Sequence, residues 1–340
     1  MSSLASLELQ ELTRQVRAIL NDPHAPAHST GTSTLDGAVA ALAQRCSSGQ
    51  PLTVDILPFW FVPPPGAADA DASEIGDQVL GTAYLPRNVA TVCHDALSRH
   101  GRLFSAAPVW SRLFLAWIDA VAEAPRDLFL PAAVACECMA AGYDLLDAAA
   151  PSEPDFSNQA ASDTLLALSQ SLLLEMDVPA DRRLRAGTAL RRAGRGALAA
   201  QRQDSALRQA PTASPDVVRG ILRRHSGMLV AATCQCATLL TGAHWRTVGV
   251  AGRFGVALGC AAQLEDDLAD LGEDARSGRK TLPILLTLMH PDEPEIVRVL
   301  TWVLIQQSLQ EAADVLARLP CENPRTEALW SLLPGAPRAA

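Results

Sequence analysis

Residues 263–286 read QLEDDLADLGEDARSGRKTLPILL, a helical pattern that crowds acids together before a cationic loop. Four of its acids, Glu265, Asp266, Asp267 and Asp270, lie close together, and Arg279 and Lys280 follow in the loop. On a helix, Asp266 and Asp270 share a face one turn apart, where their charges repel unless a cation joins them. Carboxylates that act together with a substrate's phosphates suit Mg²⁺. The stretch therefore predicts a magnesium site or, as the alternative, a solvated acidic helix.

A second acidic pattern ends another apolar helix. Residues 141–151 read AGYDLLDAAAP, in which Asp144 and Asp147 lie three residues apart on one helical face. Two acids near the end of a helix are common and are weak evidence by themselves. Together with the first stretch, they suggest two carboxylate patches that face each other across a cavity.

The composition favours a helical protein without nucleic-acid partners. Of the 340 residues, 49% are hydrophobic and 4% are aromatic, and the formal net charge is −9. Alanine and leucine favour helices over strands, and nucleic-acid binding usually needs a basic face. Neither a secretory leader nor a convincing membrane span is visible, so we expect a cytoplasmic protein.

The chain divides into an N-terminal extension, residues 1–75, and an all-α domain, residues 76–340. The extension is partly irregular, and its stretch PFWFVPPPG, which begins at Pro58, cannot be helical through its prolines. Beyond it, apolar residues recur with helical spacing. The predicted helices cover residues 77–98, 101–122, 127–148, 160–176, 183–203, 215–241, 246–271 and 281–290. Such a succession predicts a bundle of long helices with its site in the core.

The stretch from Phe254 to Leu286 resembles the second aspartate-rich motif of the trans-isoprenyl diphosphate synthases, the polyprenyl synthetase family. That motif reads FG-x-x-LG-x-A-x-Q-x-x-DD-x-x-D, followed by D-x-x-x-G-K-x-TLP. The matching residues are Phe254, Gly255, Leu258, Gly259, Ala261, Gln263, Asp266, Asp267, Asp270, Asp274, Gly278, Thr281, Leu282 and Pro283. Two further segments resemble motifs of the family more weakly. They are SDTLLALSQSLL, with Asp163, and AAQRQD, with Gln201 and Asp204. The resemblance covers roughly residues 77–290.

The resemblance implies an isoprenoid-synthase-type bundle around a central cavity, an allylic isoprenyl diphosphate substrate and Mg²⁺, with three ions around the diphosphate. The implied metal ligands are Asp144, Asp147, Asp266, Asp267 and Asp270. The implied catalytic residues are Asp266, Asp270, Arg279 and Lys280. The implied substrate contacts are Gln263, Arg102, Gln201, His225, Ser226, Met139 and Cys138. The last two occupy the positions that set product length, and since neither is a large aromatic residue, we expect room for chains longer than farnesyl.

Several motif positions depart from the family pattern. Tyr143 stands where the first motif has its leading aspartate, and no arginine pair follows that motif. The early GGK-x-x-RP, which holds isopentenyl diphosphate in the family, is echoed only near Arg102. The family's Lys-Thr pair reads His225-Ser226, and its GK lysine is Arg279. The residues that would ionise an allylic diphosphate are about half present, whereas a cationic pocket for a second diphosphate is mostly absent.

Three functions fit these residues. The first is a magnesium-dependent prenyltransferase, a polyprenyl or geranylgeranyl-type diphosphate synthase or a relative with an altered acceptor site. The second is a non-catalytic partner subunit of an active prenyl synthase, and the third is a class I terpene cyclase, which needs only one diphosphate. The resemblance also implies a homodimer or a heterodimer with a related synthase subunit.

Overall fold

The computed structural model describes residues 109–148, 156–319 and 324–333, together with isolated helical positions at 10, 11, 13, 14, 17, 92, 93 and 96. Every regular element within these residues is a helix, and no strand occurs among them. The predicted all-α fold class is therefore confirmed. The proline-rich stretch, Arg102 and most of the extension lie outside the described residues, so the predicted domain boundary stays a prediction.

Eleven α-helices lie within the described ranges. They are α1 (Val109–Val121), α2 (Leu130–Ala148), α3 (Phe156–Leu174), α4 (Ala180–Gln209), α5 (Pro215–Leu222), α6 (Met228–Leu240), α7 (Trp245–Ala269), α8 (Leu271–Ser277), α9 (Leu282–Met289), α10 (Pro294–Leu316) and α11 (Glu327–Trp330). Short 3₁₀ turns precede α2 and α11, at Arg126–Phe129 and Pro324–Thr326. These bounds agree with most of the predicted helices to within a few residues.

The core forms around α6 and α7, which are buried over most of their length. Helix α6 packs against α4 and α7, and α7 packs against α10 on its other side. The two central helices approach closely because glycine leaves room: a Cβ added at Gly255 would lie 2.5 Å from the Ala231 Cα atom. Few aromatic residues fill this core, and the edge-on pair of Trp117 and Phe254 has its ring centroids 5.5 Å apart.

Local signals explain where several helices begin and end. Ser214 caps α5, since its hydroxyl accepts a hydrogen bond from the Asp216 amide at 3.3 Å, and Pro215 occupies the first turn. Helix α8 ends at Gly278, whose φ of 72° is a left-handed conformation that favours glycine. Helix α9 then begins directly with Leu282 and Pro283.

Two features of the fold differ from the sequence-based expectation. The predicted helix 215–241 is interrupted by a π-helical turn, Arg223–Gly227, between α5 and α6. Such turns are often found at functional sites, and this one carries His225 and Ser226. Helices α8, α10 and α11 are not among the predicted ones, although Pro294 and a regular series of apolar residues mark α10.

Residues 126–146 and α7 are long and apolar enough to cross a membrane. Within their apolar windows, 78% and 61% of the residues are buried inside the protein. Core helices of globular proteins pass the same test, so these two helices are weak evidence for a membrane span.

Candidate functional site

The two acidic motifs face each other in the folded chain. Asp144 lies near the end of α2 and Asp266 lies near the end of α7. The pKa of Asp266 is raised to about 7, first by burial and then by the negative charges of Asp270 and Asp144. The negative charge of the Asp144 carboxylate therefore acts on Asp266. Asp147 belongs to the same helix as Asp144, but its side chain lies outside the described part of the structure.

The acids of α7 do not all point in one direction. Asp267 is buried, and it accepts a hydrogen bond from the Gln263 amide at 3.0 Å. Burial raises its pKa to about 8, although that hydrogen bond opposes the rise. Glu265 is also buried, and its pKa is raised to about 8 by burial and by the neighbouring Asp266. Among these acids, Asp266 is therefore the one whose pKa is raised by both Asp270 and Asp144.

A chain of hydrogen bonds links the π-helical turn to Asp267. The Ser226 hydroxyl donates to the Gln263 side-chain oxygen at 2.5 Å, and the Gln263 amide nitrogen donates to Asp267. The His225 ring nitrogen Nδ1 lies 3.3 Å from the Ser226 hydroxyl. The π-helical turn brings His225 and Ser226 to α7, so both residues of the divergent pair occupy the site.

A recess of about 60 Å³ gathers most of the predicted substrate residues beside this chain of hydrogen bonds. Its lining comprises Gln201, Asp204, Val218, Ile221, Leu222, His225, Ser226, Gln263, Asp267, Arg279, Lys280 and Thr281. Imidazole, hydroxyl, amide, guanidinium and ammonium groups thus meet at one small opening. Such a set of donors can bind the oxygens of a phosphate group.

The cationic loop after α8 is attached to α8 by its own arginine. The Arg279 guanidinium lies 3.6 Å from the carboxylate of the buried Asp274, and the Arg279 amide donates to the Asp274 carbonyl at 3.0 Å. Burial raises the pKa of Asp274, and the positive charge of Arg279 opposes that rise. Arg279 thus lies between Asp274 and the recess, while Lys280 lines the recess beside it.

Tyr143, the residue that replaces the leading aspartate of the first motif, packs against α4. A Cβ added at Gly194 would lie only 1.6 Å from the Tyr143 hydroxyl oxygen, so the phenol occupies the space that any other residue at 194 would need. Burial raises the pKa of the Tyr143 hydroxyl. This departure from the family pattern is therefore matched by a glycine on the neighbouring helix.

Gln201 has a contact that the sequence analysis did not predict. Its side-chain amide donates to the Leu146 carbonyl at 2.8 Å and so binds the last turn of α2 to α4. The Ser162 hydroxyl donates to the Gly142 carbonyl at 2.8 Å and holds the same helix from α3. These contacts fix the backbone on both sides of Asp144. Carbonyls in the last turn of a helix have no hydrogen-bond partner within that helix. This general rule is the only sequence feature that indicates the Gln201 contact.

The two predicted chain-length residues lie away from this recess. Cys138 and Met139 are fully buried in α2, and they line neither this recess nor the groove between α4, α6 and α7. Their role in setting chain length stays a prediction. Within the described ranges, no three histidine, cysteine, aspartate or glutamate side chains are close enough to hold a metal ion by themselves.

Comparison with known sequences finds similarity over part of the chain. No protein-family model matches it. The (2E,6E)-farnesyl diphosphate synthase of Mycobacterium tuberculosis is 28% identical over 168 residues. That alignment covers 45% of this chain and 45% of the relative, so less than half of the relative's length is matched.

Comparison with solved structures finds the same fold over most of the chain. A polyprenyl synthetase from Streptomyces coelicolor superposes with a TM-score of 0.65 and 18% identity, covering 77% of this chain and 95% of that one. A geranyltransferase from Helicobacter pylori, complexed with magnesium and isoprenyl diphosphate, superposes with a TM-score of 0.60 and 16% identity, covering 80% and 98%. At such identities the likeness establishes the fold.

Proposed function

Because this chain is a divergent relative of the trans-isoprenyl diphosphate synthases and has their fold, we propose that it is a prenyltransferase that acts on an allylic isoprenyl diphosphate. The observation that supports this most directly is the position of Asp266, whose pKa is raised by the charges of both Asp270 and Asp144. Three carboxylates from two helices are costly to hold together unless a cation accompanies them. The recess beside them supplies donors for phosphate oxygens.

The carboxylates of Asp144, Asp266 and Asp270 are suitable ligands for Mg²⁺. All three groups are carboxylates, and the described residues form no closed metal cage. Mg²⁺ is usually held by one or two carboxylates together with waters and substrate phosphates. When bound, it would supply positive charge that offsets the charge of a diphosphate leaving group. The Helicobacter enzyme with the same fold was solved with magnesium and isoprenyl diphosphate, which supports the same ligands here.

The chain's own cations would act on the other side of the diphosphate. Lys280 and His225 line the recess and can donate to phosphate oxygens, and Ser226 keeps Gln263 oriented between them. As the bond between the allylic carbon and the diphosphate oxygen breaks, its electron pair stays on that oxygen. Donors placed there stabilise the charge as it develops. Arg279, which contacts Asp274, adds positive charge near the mouth of the recess.

The experiment that tests this proposal is product analysis. The purified chain is incubated with Mg²⁺ and geranyl, farnesyl or geranylgeranyl diphosphate, each with and without isopentenyl diphosphate. An elongated diphosphate that forms only when both substrates are present supports the proposal. A cyclic hydrocarbon made from one substrate would identify a cyclase instead. Turnover only after a related synthase is added would identify a partner subunit.

We also propose that the chain forms a homodimer or a heterodimer with a related synthase subunit, as the family resemblance implies. Light scattering at micromolar concentration tests this, alone and after addition of a related synthase. A particle of 36 kDa, the mass of one chain, under both conditions would contradict the proposal.

A further inference from the structure

A groove of about 640 Å³ lies where α4, α6 and α7 run side by side, separate from the recess described above. Small and aliphatic residues dominate its surface, and four arginines surround them. The lining residues are Leu184, Arg185, Thr188, Ala189, Arg192, Ala193, Arg223, Met228, Ala231, Ala232, Gln235, Leu239, Val248, Gly249, Gly252, Arg253, Val256 and Glu311. Its volume lies within the range of pockets that hold small ligands.

The arginines of this groove are mostly uncompensated. Arg192, Arg223 and Arg253 are exposed, and none of them has an ion pair or hydrogen bond within the described part of the chain. Arg185 has one exposed partner, Asp181, at 3.5 Å. Glu311 is the single acid in the lining, so the groove carries a net positive charge on a chain whose formal charge is −9. Charge complementarity therefore favours an anionic ligand.

Arginines line the groove along its whole length. Its single acid, Glu311, lies at the same end as Arg223, because both charges act on the pKa of the Cys260 thiol. Gly252 lies against Gln235, so Arg253 is near the middle of the groove. Helices α4 and α6 are antiparallel, because Gly196 lies beside Met228, whereas Arg182 donates to the Thr241 carbonyl at 3.1 Å. Arg192 is therefore at the end of the groove near Arg223. The opposite end carries Arg185 and a set of apolar residues: Leu184, Leu239 and Val248.

A ligand in this groove would find arginines along its length, aliphatic side chains at the Leu239 end and a polar group near the middle. From Met228 to Leu239 the groove runs about 16 Å along α6, at the helical rise per residue. Near its middle lies the half-buried Gln235, whose side chain makes no hydrogen bond within the described residues. Its amide nitrogen would be only 2.4 Å from a Cβ added at Gly252, so it lies over the glycine surface.

We propose that this groove is a second, non-catalytic binding site for one isoprenyl diphosphate molecule. The diphosphate would lie between Arg192 of α4 and Arg253 of α7, since guanidinium groups bind phosphate oxygens in pairs. The prenyl chain would lie on the alanine and glycine surface toward Leu239 and Val248. The choice of an isoprenyl chain rests on the proposed function, whereas the preference for an anionic head on an apolar chain rests on the groove alone.

The two sites can be separated by metal dependence. Binding at the acidic helices requires Mg²⁺ under the proposed function, whereas the groove binds through arginine and needs no metal. Calorimetric titration of the full chain with farnesyl diphosphate in EDTA is therefore expected to measure binding at the groove. Farnesol and inorganic diphosphate, which each lack one half of the ligand, are expected to bind at least tenfold more weakly.

Two kinds of variant test the location. Arg192→Ala with Arg253→Ala removes two of the four groove arginines. Its matched control is Arg195→Ala with Arg246→Ala, which changes two exposed arginines of the same helices outside the groove. Gly249→Phe fills the groove, because no atom lies within 4 Å of a Cβ added there. Both groove variants are expected to raise the dissociation constant in EDTA at least tenfold, and the control less than twofold.

Several results would overturn the proposal. The first is the absence of farnesyl diphosphate binding in EDTA. The second is the same dissociation constant for farnesyl diphosphate in the groove variants and the control. The third is an affinity for phosphatidic acid vesicles equal to the affinity for farnesyl diphosphate. A change of oligomeric state in Gly249→Phe with unchanged ligand affinity would assign the groove to a protein partner instead. Failure of the proposed function would appear separately, because Mg²⁺ would then induce no additional farnesyl diphosphate binding in the wild-type protein.

Discussion

Asp144 of α2 and Asp266 of α7 come from motifs more than 120 positions apart, yet the charge of the first raises the pKa of the second. The family resemblance implied that the two motifs act together, and the structure brings these two carboxylates into electrostatic contact. The contact leads to predictions about metal binding, pH and the helices that hold the acids.

Asp266→Asn is expected to abolish binding that depends on Mg²⁺ and diphosphate, while leaving the unliganded fold equally stable or more stable. The change removes a half-buried charge that is repelled by Asp270 and Asp144. The expected gain in the free energy of unfolding at pH 8 is about 1–2 kcal/mol. Thermal melts with and without Mg²⁺ and a non-hydrolysable allylic diphosphate analogue measure both effects. A wild-type melting temperature that the ligands do not raise would count against the metal site.

The stability of the unliganded wild-type protein should increase as the pH falls from 8.5 to 6. Asp266, Glu265 and Asp267 have folded-state pKa values of about 7, 8 and 8, above the value of about 4 for unfolded carboxyls. The folded chain therefore binds more protons than the unfolded chain in this range, and the free energy of unfolding decreases as the pH rises. Urea unfolding at several pH values measures the slope. Asp266→Asn should flatten it, whereas Glu273→Gln, at an exposed position, should not.

His225→Lys is expected to strengthen diphosphate binding at pH 8 at least severalfold. The side chain at 225 lines the recess next to Lys280, and a lysine there would place a second ammonium group at the phosphate oxygens. Affinity for an allylic diphosphate with Mg²⁺, measured at pH 6 and pH 8, should show the gain. His244→Lys, an exposed position outside the recess, is the matched control and should change neither value.

Gln201→Ala should loosen the end of α2. The substitution removes the donor to the Leu146 carbonyl, at an expected cost of about 1 kcal/mol in the free energy of unfolding. Because Asp144 lies in the turn that this bond holds, the affinity for Mg²⁺ with diphosphate should fall as well. Gln209→Ala, at an exposed position near the end of the same helix, is the control. Equal ligand affinity in both variants would show that Gln201 does not position Asp144.

Gly194→Ala should destabilise the wild-type protein but not a Tyr143→Ala background. In wild type, the added methyl group meets the Tyr143 hydroxyl at 1.6 Å and forces the phenol to move. Without the phenol, alanine regains the helical preference over glycine, about 1 kcal/mol. A double-mutant cycle by chemical unfolding measures the coupling. Additive effects would show that the two residues do not contact each other in solution.

The sequence by itself determined the helical class and the identity of the acidic face. Seven segments with regular apolar spacing cover eight of the eleven α-helices within the described ranges. The spacing of Asp266 and Asp270 placed them on one face, because both are local properties of a helix. It also marked His225, Ser226, Gln201, Arg279 and Lys280 as candidates, and these side chains share one recess in the structure.

Tertiary structure alone decided which groups meet. The separation of Asp267 from Asp266, the pairing of Tyr143 with Gly194 and the bond from Gln201 to the Leu146 carbonyl all depend on how neighbouring helices are rotated and shifted against each other. Helix spacing fixes the direction of a side chain relative to its own axis only. The register between α2, α4 and α7 results from packing over the whole core, and no single stretch of sequence specifies it.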